Sequence, residues 1–163
     1  MTVLLETSRI RKARPEDARM LAAAEREVAK LPGRLASCPE ELKDENFYDK
    51  IVSISNTDSG LYLVIEQGDL IVGHAILEPH KLASTSHVVA LTIVIHEGYQ
   101  GNGIGRTLMR YLIDWAKANP KIEKIELHVR SSNVRAIHLY TSLGFIEEGR
   151  KTRQIKYGAN DYQ

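Results

Sequence analysis

The residue types most suited to chemistry in this 163-residue chain are the glycines of Gln100-Gly101-Asn102-Gly103-Ile104-Gly105-Arg106. They join a β-branched run to an amphipathic one, where a strand hands over to a helix. At such a junction the first helical N–H groups lack partners within the helix and its positive end faces outward, while glycine lets an anion approach bare main chain. A phosphate site is the reading this spacing supports. Two familiar phosphate loops do not fit. A dinucleotide G-x-G-x-x-G begun at Gly101 needs glycine where Arg106 stands, and a Walker loop begun at Gly98 needs lysine where Ile104 stands.

Other candidates lie downstream. Asn133 and Tyr140 are seven positions apart, so on one helix they share a face about 10 Å apart along the axis. One ligand can reach both, although Asn is also a common helix cap and Tyr a common core residue. His128 carries an imidazole, the group that changes charge near neutral pH and can accept a proton; a histidine in a strand is as often structural. His74, His80, His87, His96 and His138 show no metal-ligand spacing, so no metal is expected. Cys38 is the lone cysteine, with no histidine pattern to activate it and no partner for an internal disulfide.

The elements that must position these groups follow from periodicity. Residues 9–13 are strand-like. Leu21, Ala24, Val28 and Leu31 recur at helical spacing until Pro32-Gly33, and Ser37-Cys38-Pro39-Glu40 has a capping-box pattern ahead of a second helix carrying Phe47, Ile51 and Ile54. Residues 61–65 and 71–77 form a hairpin about Gln67-Gly68-Asp69, and residues 87–95 are the most β-branched stretch, suited to a strand buried on both faces. Ile104, Leu108, Tyr111, Leu112 and Trp115 make a third helix that Asn119-Pro120 ends. Residues 125–129 follow as a strand, Asn133 caps a fourth helix, Gly144 closes it, and strand resumes at Phe145. The order β-α-α-β-β-β-α-β-α-β gives a mixed sheet covered by helices.

Composition narrows the setting. With 43% apolar and 26% charged residues the chain reads as one domain over residues 1–163, and its net charge of +1 offers no polyanion-binding excess. The basic run Arg9-Ile10-Arg11-Lys12-Ala13-Arg14 lacks interleaved aromatics and reads as the wet side of an edge strand, so no nucleic-acid partner is expected. Residues 1–10 lack a leader pattern and no apolar run approaches the ~20 residues of a membrane span, so a cytoplasmic protein with no membrane partner is expected.

Gln100-x-x-Gly103-x-Gly105 resembles the Q/R-x-x-G-x-G/A signature of the GNAT N-acetyltransferase superfamily. Leu127-His128-Val129-Arg130-Ser131-Ser132-Asn133-Val134-Arg135-Ala136-Ile137-His138-Leu139-Tyr140 with Leu143-Gly144-Phe145 is similar to its L-x-V-x-x-x-N-x-x-A-x-x-L-Y-x-x-x-G-F block. Members of the ribosomal-protein-alanine type and those acting on small amines or amino acids are the nearest in pattern. The resemblance, over about residues 9–157, implies an α/β (α+β) fold: a mixed, mostly antiparallel central sheet of six to seven strands, flanked by four helices and splayed between strands four and five.

It also implies roles. Acetyl-CoA is the co-substrate. Ile93, Val94 and Ile95 line its pantetheine arm through their backbone, Gln100, Gly101, Asn102, Gly103, Ile104, Gly105 and Arg106 hold the pyrophosphate, and Asn133 lies near the pantetheine. Tyr140 is the acid for the departing thiolate. At the middle of the L-x-V motif, ribosomal-protein-alanine-type members carry Glu where this chain has His128, so either His128 or a water chain is the base. The acceptor is a primary amine of a small molecule, an amino acid or a protein N-terminus, and a homodimer remains open. The other reading is a non-catalytic acyl-CoA-binding sensor or interaction module on the same fold. The family's usual seventh strand has no counterpart in Gly158-Ala159-Asn160-Asp161-Tyr162-Gln163, which reads as a turn.

Overall fold

Runs rich in β-branched and aromatic residues become the strands, and their order fixes the fold. In the computed structural model, which describes residues 8–163, Ser8–Lys12 (β1) pairs antiparallel with Leu61–Gln67 (β2). Residues 1–7, part of the stretch read for a leader, lie outside the described residues. The chain reverses at Gly68, whose φ of 60° suits glycine, into Leu70–Pro79 (β3). Val88–Ile95 (β4) pairs antiparallel with β3, and Lys124–Glu126 (β5) pairs parallel with β4, giving the order β1-β2-β3-β4-β5. The expected mixed, mostly antiparallel sheet is therefore present. Four helices cover it: Ala18–Ala29 (α1), Asp44–Ser55 (α2), Ile104–Ala118 (α3) and Val134–Ser142 (α4).

Period-two alternation assigns the faces. Leu61, Leu63, Ile65, Val72, Ala75, Leu77, Val89 and Leu91 pack with Leu108, Met109 and Leu112 of α3. Tyr62, Val64 and Ile71 pack on the other face with Leu21 and Ala22 of α1 and Phe47, Ile51 and Ile54 of α2. Each such aliphatic side chain contributes roughly 1.5–3 kcal/mol by leaving water. On edge strand β1 Arg11 is half-buried and paired: it donates to both carboxylate oxygens of Asp17 at 2.7 and 3.0 Å and to Glu66 at 2.8 Å.

The splay is visible in the pairing. β3 stays beside β4 down to Ile95, whereas β5 meets only Val88, Val89 and Ala90. On their β5 side, residues 91–95 thus have no strand neighbour among the described residues. The expected two-faced burial of β4 holds to Leu91 and lapses at Thr92, which is exposed, and at the half-buried Ile93 and Ile95.

Three local expectations shift. The capping box forms one residue later: Cys38 N–H donates to the Glu41 carboxylate at 2.7 Å in a tight turn, Pro39–Glu41, and α2 starts at Asp44. Proline at the first position of that turn sets the phase. β5 ends at Glu126, so residues 127–129 lie outside the sheet. The strand read from Phe145 is absent: residues 145–150 are irregular, and two strands, Lys156–Gly158 (β6) and Asp161–Tyr162 (β7), form a separate hairpin. Ile146 is 85% exposed, and Glu147-Glu148-Gly149-Arg150-Lys151 behind it has no apolar alternation to bury. The closing residues do turn, at Ala159-Asn160, but with β6 and β7 on either side.

Candidate active site

Gly98, Gly101 and Gly103 take φ of 87°, 85° and 78°, the left-handed region that side chains disfavour, so the loop after β4 needs glycine for its shape. Gly103 stands at the N-cap of α3, and its carbonyl accepts the Thr107 N–H at 3.1 Å and the Thr107 hydroxyl at 3.0 Å. The N–H groups of Ile104, Gly105 and Arg106 open that helix and have no carbonyl within it. A Cβ built on Gly103 meets nothing within 4 Å, so the space before these donors is open. Gln100 ties the loop down, its side-chain amide donating to the Ile95 carbonyl at 3.0 Å. Asn102 is exposed, Ile104 is anchored in the core, and Gly105 packs close to Leu139 of α4.

Two arginines lie beside the loop. Arg106 turns to α4 and donates to the Ser142 hydroxyl at 2.9 Å. Arg135, which the motif reading passed over as a variable position, lays its guanidinium on Gly101, where a Cβ would lie 2.6 Å from Nη2. Arg135 of α4 thus adds a cation over the loop. Its sequence signal was its place two residues after the cap, one helical turn from the loop only once α4 packs there.

Behind the loop, Ile93 and Ile95 pack on the α3 face, while Val94 is buried and pairs with His74 of β3. Asn133 is the α4 cap, its Oδ1 accepting the Ala136 N–H at 3.2 Å. Tyr140 packs into the same core, edge-on to Phe145 at 5.9 Å between ring centroids. Burial pushes its hydroxyl above the ordinary 10, so it stays protonated at neutral pH. His128 lies two residues past β5 and is exposed.

The opposite face holds a polar cluster that sequence reading did not assemble. Tyr62 donates its hydroxyl to His74 Nδ1 at 3.0 Å, and His74 Nε2 faces Glu25 at 2.8 Å. Burial raises the Tyr62 hydroxyl well above its usual range, which keeps it the donor. His96, just past β4, uses Nδ1–H toward the Ile71 carbonyl at 3.1 Å, and its buried Nε2 has no partner among the described residues. Burial, with His74 nearby, lowers His96 to about 4, so it stays neutral. Pairing of β2 with β3 brings Tyr62 and His74 onto one face, a contact no local spacing encodes.

Residues 22–145 match the profile of the Acetyltransferase (GNAT) family. The chain belongs to this family. It is 32% identical over 100 residues to the N-alpha-acetyltransferase RimI of Mycobacterium tuberculosis, covering 61% of each chain. It is 32% identical over 85 residues to the L-amino acid N-acyltransferase MnaT of Escherichia coli, covering 52% of this chain and 49% of that one. The chain spans about half the length of the curated relatives it matches. A crystal structure of a GNAT-family acetyltransferase from Streptococcus pneumoniae superposes with a TM-score of 0.87 at 26% identity, over 96% of this chain and 94% of the other.

Proposed function

We propose that this chain is an acetyl-CoA-dependent N-acetyltransferase that moves the acetyl group directly to a primary amine in a ternary complex. The observation that carries this reading is the coincidence of three features. The unpaired edge of residues 91–95 runs into a glycine loop with open donors, and Tyr140 lies on the helix packed behind that loop. The residues present fit the coenzyme. The loop and Arg135 offer main-chain N–H groups and a cation to a pyrophosphate, and the free edge of β4 offers backbone groups to the pantetheine amides. The coenzyme supplies an acetyl group activated as a thioester.

Each chain group then has one task. The β4 backbone beside the thioester donates to the developing oxyanion. Tyr140, kept protonated by burial, gives its proton to the leaving sulfur as the carbon–sulfur bond breaks. His128, exposed beyond β5, takes the proton from the attacking amine directly or through water. Asn133 fixes the start of α4 and leaves its amide N–H groups for the pantetheine. The relatives named as an N-alpha-acetyltransferase and an L-amino acid N-acyltransferase support an amine acceptor. A free, exposed Cys38 supports a reducing, cytoplasmic setting.

The deciding experiment pairs calorimetric titration of acetyl-CoA with thiol release across amino acids, polyamines, aminoglycosides and short peptides. Saturable coenzyme binding with acceptor-dependent thiol release is expected. Binding without release for every amine would leave a non-catalytic module, and no binding would sink the reading.

A further inference from the structure

Arg130 sits where three segments converge. Its guanidinium lies over the Tyr157 ring of the terminal hairpin at 4.8 Å, and a Cβ on Gly33, between α1 and α2, would come within 3.9 Å of its Nη1 and 3.8 Å of Ser132 Oγ. Around it a hydrogen-bond frame closes: the Tyr157 hydroxyl donates to Gln163 at 3.0 Å, and the Gln163 amide donates to Ser131 and Ser132 at 3.3 and 2.5 Å. Arg130 is half-buried, and its Nε and Nη1 are buried with no hydrogen-bond partner among the described residues.

Arginine cannot shed its charge to relieve this, since its guanidinium stays protonated in proteins. A buried donor left without an acceptor is costly, and the cation–π contact with Tyr157 satisfies neither Nε–H nor Nη1–H. The two donors call for an anionic acceptor, and a carboxylate oxygen makes a charge-assisted hydrogen bond with a guanidinium N–H. The position is informative as well. Arg130 shares the connection between β5 and α4 with His128 and lies three residues before the Asn133 cap of the helix bearing Tyr140.

We propose that Arg130 anchors the carboxylate of the acceptor, so that the amine acetylated is that of a free α-amino acid. This rests on the acetyl-transfer reading above and narrows its acceptor class. In an α-amino acid one carbon separates the two groups, so pinning the carboxylate on Arg130 orients the neighbouring amine. A peptide N-terminus carries an uncharged amide at that place and would leave Arg130 unpaired. The amine attacks the thioester carbonyl and gives up one proton to the base, the carbon–sulfur bond breaks, the thiol leaves with the proton from Tyr140, and the carboxylate takes no part in bond making.

Matched pairs test this: kcat/KM by thiol release for an L-amino acid, its primary carboxamide and an uncharged dipeptide amide, with wild type and Arg130→Gln. Wild type is expected to favour the acid by roughly 10²-fold, the scale of losing one partner of a desolvated charge pair. Arg130→Gln should reduce that preference to within about fivefold, the rest of that range being lost with the guanidinium, while acetyl-CoA affinity by calorimetry stays unchanged. Arg130→Lys should recover part of the preference. Equal or better use of the carboxamide or dipeptide by wild type overturns the proposal, and that comparison needs no variant to fold. If acetyl-CoA fails to bind, the transfer reading falls separately. Thermal stabilisation of wild type by the amino acid but not the carboxamide, lost in Arg130→Gln, would still uphold the carboxylate subsite, and its absence would overturn it.

Discussion

On the α3/α4 face of the sheet the groups that can meet a ligand are mostly main chain: the open N–H groups after Gly103 and the unpaired edge of residues 91–95. On the α1/α2 face the polar groups are side chains sunk in the core, where Tyr62, His74 and Glu25 form a hydrogen-bonded chain and His96 keeps a bare nitrogen. Backbone donors hold no proton to lose near neutrality, so the first face offers an electrostatic environment indifferent to pH. The second stores protonation energy. The difference teaches that coenzyme binding and fold stability in this chain should respond to different perturbations.

The sharpest test is Tyr140, the titratable side chain that the coenzyme face contributes to chemistry. Its replacement by Phe keeps the ring packed against Phe145 and removes only the hydroxyl. Turnover should fall by about 10²–10⁴-fold, the usual span of a lost general acid. Acetyl-CoA affinity by calorimetry should barely move. Equal losses in both would mean that the hydroxyl binds rather than protonates, and the contrast between a backbone binding site and a single side-chain acid would fail.

The second face should reveal itself through pH. His96 is neutral in the native state down to about 4, whereas in the unfolded chain it titrates at 6.5. Between those values the unfolded state binds the extra proton, so stability is complete above about 6.5 and falls as the pH drops toward 4. The loss across that window amounts to about 3 kcal/mol at most, taking ~1.4 kcal/mol per pH unit. Urea midpoints measured from pH 4.5 to 7 should show it, and His96→Gln should flatten the slope. A slope retained by the variant would place the titration elsewhere.

How much of each face could be read in the sequence follows the same division. The glycine loop was legible because positive φ at Gly101 and Gly103 is a local demand that only glycine meets cheaply. The Asn133 cap and the helical register of Tyr140 were legible for the same reason, being set within one or two turns. Arg135 over Gly101 and Arg130 under Gly33 depend on helix and loop packing across long sequence separations, which no spacing records. The strand expected after Phe145 came from the pattern around it, and the chain's own charges overruled that pattern. The splay was foreseen through family resemblance. Residue types in β4 announced only a buried strand.

Gly103 probes whether the loop works through bare main chain. Space in front of it is open, so Gly103→Glu meets no steric wall. It would instead place a carboxylate before the helix start and strain a φ of 78°. Coenzyme affinity should fall by more than tenfold, about 1.4 kcal/mol or greater, while far-UV circular dichroism stays native. Unchanged affinity in the folded variant would remove the anion from this loop.

The smallest effect should come from His128, exposed two residues past β5. An α-amine with pKa near ~8 is already neutral in about a tenth of molecules at pH 7, so a base can gain only about tenfold on it, whereas a lysine-like amine near ~10.4 would leave far more to gain. His128→Gln should therefore lower kcat/KM for an α-amine by at most about tenfold and flatten the acidic limb of its pH profile. Ionisation of the free amine shapes the same limb, so both proteins must be compared on one acceptor. An acidic limb that survives in His128→Gln at near-normal rate would assign proton removal to water. A loss well beyond tenfold would instead mean that the acceptor amine is more basic than that of an α-amino acid, which would count against Arg130 as well.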